Sequence, residues 1–267
     1  MVLKKRAVKP KPNNRSQLDE NEYDPVDKRI VLIYGLSGTG KTTFCTTAPQ
    51  PVYHLDINET GLKSVSDKLS DTYKGVYIQS WDALIKKVDL LSTDDYYKTV
   101  IIDTITSAQD MRTDIEVGNK SSSFGLDRRV FGKIAGDMKT LIYDLKDLNK
   151  NIIFLAHMRT FGLDEEEEAD DILPSRNARL MPSVVATLNG TSDIIGNTFI
   201  SMTNTKVRVK GEKGKTTLVN KRVFKYCMRL GPNPIYVTKI RKPVGIEIPS
   251  FIENPKWDDL IKFEGGK

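Results

Sequence analysis

Gly35-Leu36-Ser37-Gly38-Thr39-Gly40-Lys41-Thr42 is the stretch of sequence that decides the fold. An apolar run at residues 30–34 precedes it, and residues 41–47 have the composition of a short helix. Glycine at three of the eight positions lets backbone N–H groups converge at the start of that helix, where the helix dipole favours an anion. The pattern predicts a phosphate-binding loop, with Thr43 directly behind it.

The last side chains of this loop have the chemistry that a nucleoside triphosphate requires. Lys41 can reach the β and γ phosphates, and the Thr42 hydroxyl can bind Mg²⁺. An ordinary glycine turn is the alternative, but the position between a strand and a helix favours a nucleotide site. ATP and Mg²⁺ are therefore the predicted cofactors.

A second candidate for the metal ends the most apolar predicted strand, residues 99–103. Three β-branched residues run directly into Asp103, and the centre of the sheet is the predicted place for this strand. In enzymes with such a loop, an acid at this point binds Mg²⁺ directly or through water. Capping of the helix that follows is the alternative. Thr42 and Asp103 thus form the predicted metal site.

Strands alternate with helices up to about residue 157, which predicts an α/β fold with a mainly parallel central sheet. The predicted strands are 29–34, 52–56, 76–78, 99–103 and 151–156, and the helices are 41–47, 61–69, 82–91 and 130–148. A helix is predicted at 182–189, and the pattern after it predicts antiparallel hairpins, one of them formed by 222–230 and 235–239. The predicted segments are a flexible basic arm (1–27), the core (28–205) and an antiparallel C-terminal extension of the same domain (206–267).

The composition indicates a cytoplasmic protein. Cys45 and Cys227 lie far apart in apolar or β-like surroundings, which predicts free thiols in the core. No apolar run approaches the ~18 residues of a membrane span, and no hydrophobic stretch follows the basic N-terminus. We therefore expect no membrane partner.

Positive charge is concentrated at two places in the sequence. Six Lys or Arg and no acid occupy the first 18 residues, and twelve Lys or Arg against one acid occupy residues 206–242. Such clusters favour a polyanionic partner, because each phosphate that they neutralise releases counterions. A solvated surface is the alternative. In contrast, the seven acids at residues 164–171 would repel a phosphate backbone.

Short motifs outside the glycine loop carry a family resemblance. They are Thr43-Phe44, Leu55-Asp56 with Gly61-Leu62, Gln79-Ser80-Trp81, Ile102-Asp103-Thr104, Phe154-Leu155-Ala156-His157 and Tyr236-Val237-Thr238-Lys239-Ile240-Arg241. Over residues 29–260 the chain resembles RecA-like P-loop proteins, and more narrowly a phage family of nucleotide-binding ATPases that includes single-strand-annealing recombination proteins. The resemblance implies a RecA-like P-loop NTPase core, ATP hydrolysis and a role on single-stranded DNA in phage recombination or replication.

The resemblance implies further site residues. RecA-like proteins orient the attacking water with a glutamate two residues after an aspartate; here that spacing from Asp56 gives Asn58, and Glu59 comes one later. Glu59 is the candidate for polarising water, with a helix N-terminal acid as the alternative. His157 stands where the family has a residue that senses the γ-phosphate, although a satisfied core histidine is also compatible.

Lys239 and Arg241 resemble the pair that oligomeric RecA-like ATPases extend into the ATP site of a neighbouring subunit. Positive charge supplied in this way accelerates phosphoryl transfer. Two solvated positions on an alternating strand are the alternative. The resemblance therefore implies a homo-oligomer in which these residues act catalytically.

Contacts with DNA are expected from basic and aromatic residues. The basic candidates are Arg159, Arg176, Arg179, the N-terminal arm and residues 206–225. Phe161, Phe224 and Tyr226 could stack on bases or pack in the interior. A phage single-strand-binding protein is a further candidate partner.

The sequence thus favours an ATPase that acts on single-stranded DNA. Two other hypotheses are compatible with the sequence. One is a nucleotide-regulated module that binds or anneals DNA with negligible turnover, and the other is a small-molecule P-loop kinase. A kinase needs a mobile basic lid, and no compact lid is evident in the sequence.

Overall fold

The computed structural model describes residues 28–118, 128–159, 176–210, 216–242 and 244–264, and for 206–210 and 216–221 it describes the backbone. The strands are β1 (Ile30–Gly35), β2 (Val52–Ile57), β3 (Tyr73–Ile78), β4 (Thr99–Asp103), β5 (Asn151–His157), β6 (Ile194–Lys210), β7 (Thr216–Arg229), β8 (Lys239–Ile240) and β9 (Phe251–Glu253). The helices are α1 (Lys41–Cys45), α2 (Trp81–Ser92), α3 (Ile105–Gly118), α4 (Arg128–Asp147), α5 (Pro182–Thr191) and α6 (Trp257–Phe263), and a 3₁₀ helix spans Gly61–Lys68.

All the described strands belong to one sheet, in the order β3-β2-β4-β5-β1-β6-β7-β9, with β8 paired to β6. The strands from β3 through β1 to β6 are parallel, and β7, β8 and β9 add antiparallel pairs. The predicted α/β fold, mainly parallel with antiparallel C-terminal strands, is confirmed. The carboxyl ends of β1, β2, β4 and β5 therefore meet at one edge.

Apolar side chains cover both faces of the sheet. On α4, apolar residues at helical spacing are fully buried, among them Ile134, Met138 and Leu141. A second apolar cluster on the other face includes Phe44 of α1 and Trp257 of α6. Both cysteines are buried and free, as expected. Among the helices of the described residues, none combines the length and the apolar character that crossing a membrane requires.

The C-terminal strands differ from expectation in their pairing. Strand β6 runs without a break across the expected boundary at residues 205 and 206, and it pairs with β7 over its outer length from Asn197↔Arg229 to Lys210↔Thr216. The predicted hairpin of 222–230 with 235–239 is wrong, because β8 pairs with β6 and β9 pairs with β7. The turn residues between the two segments made a local hairpin the simplest interpretation. In the structure, β8 instead pairs with β6, and β7 pairs with β9.

Other elements depart from the predictions in extent. Helix α3 was not predicted as a separate element; β3 begins at Tyr73 rather than at residue 76; and residues 61–68 form a 3₁₀ helix. The weak segregation of apolar residues along α3 explains the first omission. The basic arm, Phe161 and the acidic run at 164–171 lie outside the described residues.

Candidate nucleotide-binding site

A cleft of about 390 Å³ opens where the carboxyl ends of β1, β4 and β5 meet. It is lined by the glycine loop, the start of the 3₁₀ helix, the ends of two strands and one side chain of β7. These residues are Ser37, Gly38, Gly40, Lys41, Thr42, Thr43, Glu59, Thr60, Gly61, Ser64, Asp103, His157 and Tyr226. The structure therefore brings together most of the predicted loop with Glu59, Asp103 and His157.

The glycine loop (residues 35–42) has a backbone that only glycine adopts easily. Gly38 and Gly40 have φ angles of 76° and 86°. A Cβ at Gly35 would lie 2.2 Å from the Thr198 hydroxyl oxygen, so a side chain there would push β6 away. The Thr39 hydroxyl lies 2.7 Å from the Leu36 carbonyl and 2.8 Å from the Thr198 hydroxyl, and these contacts hold the loop against β6.

Lys41 begins α1 and is buried, with 7% of its surface exposed. Its ammonium donates to the carbonyls of Gly35 at 3.2 Å and Leu36 at 2.9 Å. Burial lowers the pKa of Lys41, and the negative charges of Asp103 and Glu59 partly oppose this effect. Within the part of the chain that the structure describes, no carboxylate forms an ion pair with Lys41. A buried ammonium held only by carbonyls is suited to an anionic ligand.

Asp103 ends β4, and its carboxylate turns toward α1. Thr42 donates its hydroxyl to Oδ2 of Asp103 at 3.0 Å, so the two predicted metal ligands are adjacent. The capping alternative finds no support, because the Thr104 hydroxyl accepts from the Ser107 backbone N–H at 3.1 Å at the start of α3. The carboxylate of Asp103 is thus available on the side of the cleft.

His54 is a site residue that the sequence analysis missed. Its ring is fully buried in β2, with Nε2 at 3.2 Å from Oδ2 of Asp103 and Nδ1 at 2.9 Å from the Tyr73 hydroxyl. Because the Asp103 carboxylate can only accept, Nε2 carries the proton and donates to it. In the neutral ring, Nδ1 then accepts from the Tyr73 hydroxyl, whose pKa is raised by burial. Tyr73 and His54 together fix the orientation of the carboxylate.

Glu59 and His157 contact each other across the cleft. Oε1 of Glu59 lies 2.8 Å from Nε2 of His157 and 2.9 Å from the Thr104 hydroxyl, and it also accepts from the Ser107 hydroxyl. Burial by itself would raise the pKa of Glu59, but the hydrogen bonds from His157, Ser107 and Thr104 outweigh it and lower the pKa to about 2. Glu59 is therefore a carboxylate at neutral pH, held at one oxygen.

The alternatives for these two residues fit the geometry less well. Asp56 rather than Glu59 serves the 3₁₀ helix, because its Oδ2 accepts from the Leu62 backbone N–H at 3.0 Å. The His157 side chain is 27% exposed and lines the cleft, so it is not a core histidine. Strand β5 lies between β1 and β4, which places His157 between the glycine loop and Asp103.

Lys239 and Arg241 lie together, but outside the cleft of their own chain. Both contact the carboxyl end of α5: Lys239 donates to the Asn189 carbonyl at 2.8 Å, and Arg241 donates to the Gly190 carbonyl at 3.0 Å. Arg241 also pairs with Asp193 at 2.9 Å. Positive groups at this point complement the helix dipole. Their action on a neighbouring subunit stays a prediction.

The arginines expected to contact DNA occupy two adjoining segments after β5. Met158 pairs with Ala178, so Arg159, Arg176 and Arg179 lie exposed in neighbouring backbone segments, where Arg176 lies over the Tyr236 ring. Arg179 pairs with Asp110 at 2.7 Å. Interior packing was one of the two roles expected for the aromatics of β7, and this prediction is wrong for both, because Phe224 is 66% and Tyr226 50% exposed.

The described residues by themselves hold no group of three or more His, Cys, Asp or Glu side chains that could bind a metal ion. A Mg²⁺ ion with one protein carboxylate completes its shell with water and phosphate oxygens, so a bound nucleotide would supply ligands that the protein lacks. The space is suitable: a Cβ at Gly61 would lie 2.7 Å from Oδ2 of Asp103 and 3.5 Å from the Thr42 hydroxyl. Thr42 and Asp103 fit Mg²⁺, and the glycine loop with Lys41 fits the phosphates.

Comparison with known proteins agrees with this geometry. The family model described as AAA domain matches residues 27–242, which is more than half of the chain. No curated protein matches the sequence. The family match over residues 27–242 establishes the membership. The chain therefore belongs to the AAA domain family, and this membership implies a nucleotide-binding, P-loop NTPase-like domain.

Proposed function

We propose that this protein binds and hydrolyses Mg·ATP in the cleft beside the glycine loop. The observation that carries the proposal is the buried ammonium of Lys41, which has carbonyl partners and sits at a loop whose glycines adopt positive φ. A polyphosphate supplies the missing negative charge at this point. The family match supports nucleotide binding in general.

In this proposal, different residues of the cleft bind the phosphates and the metal ion. Backbone N–H groups of the loop and the Lys41 ammonium bind the phosphates, and Thr42 and Asp103 hold Mg²⁺. Mg²⁺, when bound, neutralises the charge that develops on the terminal phosphates. The buried ring of His54 holds the Asp103 carboxylate from the interior of the sheet.

Glu59 orients the attacking water in this proposal. Its three hydrogen-bond donors all contact Oε1, so the carboxylate is fixed while Oε2 can accept from a water molecule. His157 holds Glu59 and also lines the cleft. A ligand that contacts His157 would therefore act on Glu59 as well, and the pair can couple γ-phosphate recognition to hydrolysis.

Turnover measurements separate this function from its rivals. We expect ATP hydrolysis by the full chain that single-stranded DNA increases, and no phosphorylated product in a screen of small-molecule acceptors. Tight ATP binding without turnover, with or without DNA, would instead support the nucleotide-regulated module. Transfer of phosphate to an acceptor would support the kinase.

We further propose single-stranded DNA as the partner, in phage recombination or replication, with a homo-oligomer as the active form. The supporting observation is the surface beside the cleft, where three arginines follow β5 and the outer part of the β6–β7 hairpin exposes Phe224 and Arg222. Stacking on aromatics and phosphate contacts with arginine are the usual means of binding single strands.

The salt dependence of binding tests the DNA proposal. Affinity for single-stranded DNA should fall steeply with salt, and deleting residues 1–18 should reduce the slope of log affinity against log salt, because fewer counterions are released. A deletion that leaves the slope unchanged would exclude the arm. Absence of binding by the full chain at low salt would exclude DNA as the partner.

A further inference from the structure

Tyr226 of β7 enters the nucleotide cleft, although neither the loop motif nor the family match assigns it a role. Strand β6 is parallel to β1, and their pairing ends at Gly35↔Thr198, so later residues of β6 continue past the carboxyl end of β1. Tyr226 pairs with Ile200, two positions beyond this end. The register of the hairpin thus places Tyr226 beside the glycine loop.

The ring of Tyr226 stands over the last glycine of that loop. A Cβ at Gly40 would lie 3.1 Å from Cδ1 and 3.4 Å from Cγ of the ring. The backbone below the ring is held on two sides, by β6 and by the Asn254 N–H, which donates to the Tyr226 carbonyl at 2.6 Å. Half of the residue's surface is nevertheless exposed. The aromatic side chain is therefore accessible to a ligand in the cleft.

The order of the strands determines which part of a nucleotide meets this ring. Asp103 and His157 come from β4 and β5 on one side of β1, whereas Tyr226 comes from β7 on the other side. A triphosphate whose terminal phosphate points toward Asp103 must extend its sugar and base toward the opposite side of the loop. That side is occupied by Tyr226.

We propose that Tyr226 is the platform on which the nucleobase of the bound nucleotide stacks. This inference rests on the proposed nucleotide site and assigns its base-binding end. An aromatic face accepts the π-face of either purine. Adenine and guanine nucleotides should therefore both benefit from Tyr226.

Inorganic tripolyphosphate is the probe that separates the base from the phosphates. With Mg²⁺ present, Tyr226→Ala should weaken ATP binding about tenfold, the usual contribution of one stacked base, and leave tripolyphosphate affinity unchanged. Tyr226→Phe should bind ATP as the parent does. Phe224→Ala is the matched control, because Phe224 lies on the same strand face, is exposed and does not line the cleft; it should not change ATP affinity.

Tyr226→Trp provides a second readout, since ATP should quench the new fluorescence whereas tripolyphosphate should not. Equal losses for ATP and tripolyphosphate in Tyr226→Ala, or no loss for either, would overturn the proposal. Loss of single-stranded DNA affinity without loss of ATP affinity would overturn it too and assign Tyr226 to DNA. Failure of the parent protein to bind either ligand would instead remove the nucleotide site itself, and the platform with it.

Discussion

One carboxylate oxygen of Asp103, Oδ2, is shared by Thr42 at 3.0 Å and by His54 at 3.2 Å. Thr42 approaches from the cleft, and His54 approaches from the interior of the sheet, where Tyr73 holds its other nitrogen. The carboxylate is therefore already oriented toward the hydroxyl that would share Mg²⁺ with it. Because the site needs little rearrangement, little of the binding free energy is spent on reorganising it when the metal and nucleotide bind.

Asp103→Asn should reduce hydrolysis far more than nucleotide binding, because the carboxylate acts through the metal. The half-saturating Mg²⁺ concentration for turnover should rise, and ATP affinity without Mg²⁺ should stay the same. A Mg²⁺ titration of turnover, beside ATP binding with and without Mg²⁺, measures this. Equal large losses in every assay with a lower melting temperature would point to a structural role instead.

Glu59→Gln should retain Mg·ATP binding and lose turnover by about 100-fold or more, the range expected for a group that orients or deprotonates the nucleophile. The amide keeps the shape of the side chain and its contact with His157, so the substitution isolates the negative charge. Single-turnover hydrolysis, with the protein in excess over ATP and at a concentration that saturates binding, measures the effect. Retention of parental turnover would assign the water-orienting role to another residue.

The depressed pKa of Glu59 also predicts how stability depends on pH. Its pKa falls from the ordinary value of 4.5 in the unfolded chain to about 2 in the fold, so its contribution is complete above about 4.5 and disappears as the pH approaches 2. The melting temperature of Glu59→Gln should therefore fall less between pH 5 and pH 2.5 than the melting temperature of the parent. Identical losses would mean that the hydrogen bonds from His157, Ser107 and Thr104 do not favour the ionised form.

Part of this site follows from local sequence, and part does not. The glycine loop and Asp103 are recognisable because each lies at the end of an apolar run, and such a run forms a buried strand wherever it pairs. Glu59 could be proposed only from its distance to Asp56. His54 could not be found, because its role depends on the pairing of β2 with β4, which sets Asp56 beside Asp103 and His54 diagonal to it.

Tyr226 illustrates the same limit for the fold. The alternation of β7 predicts a strand, but only the register with β6 places Tyr226 at the loop instead of in the interior. The sequence signal for Tyr226 was the alternation of residues along this strand, which places the aromatics at 224 and 226 on the same face. Long-range pairing also decided the strand partners of β7, which the local turn pattern misassigned.

Lys239 and Arg241 give a prediction about assembly. If Arg241 acts on a neighbouring site, mixing Arg241→Ala chains with Lys41→Ala chains should restore turnover at about a quarter of the sites, because random assembly pairs an intact loop with an intact arginine that often. Neither variant alone should be active, and light scattering with nucleotide checks that both still assemble. Lys242→Ala is the matched control from the adjacent exposed position and should stay active alone.

Two results would reject the trans-acting role of Arg241. One is a mixture that assembles and stays inactive; the other is an Arg241→Ala chain with full turnover. A lower melting temperature of that chain would then assign Arg241 to its contacts with Asp193 and the end of α5.

The most direct test of the nucleotide site is a calorimetric titration of ATP, with Mg²⁺ in excess, into the parent protein, Lys41→Ala and Lys63→Ala. Lys63 lies on the exposed side of the 3₁₀ helix, so its variant controls for the loss of one positive charge near the cleft. We predict tight binding by the parent and by Lys63→Ala, and loss of high-affinity binding in a folded Lys41→Ala, because no other loop side chain neutralises the phosphates. Unchanged ATP affinity in Lys41→Ala would contradict the assignment of the nucleotide site.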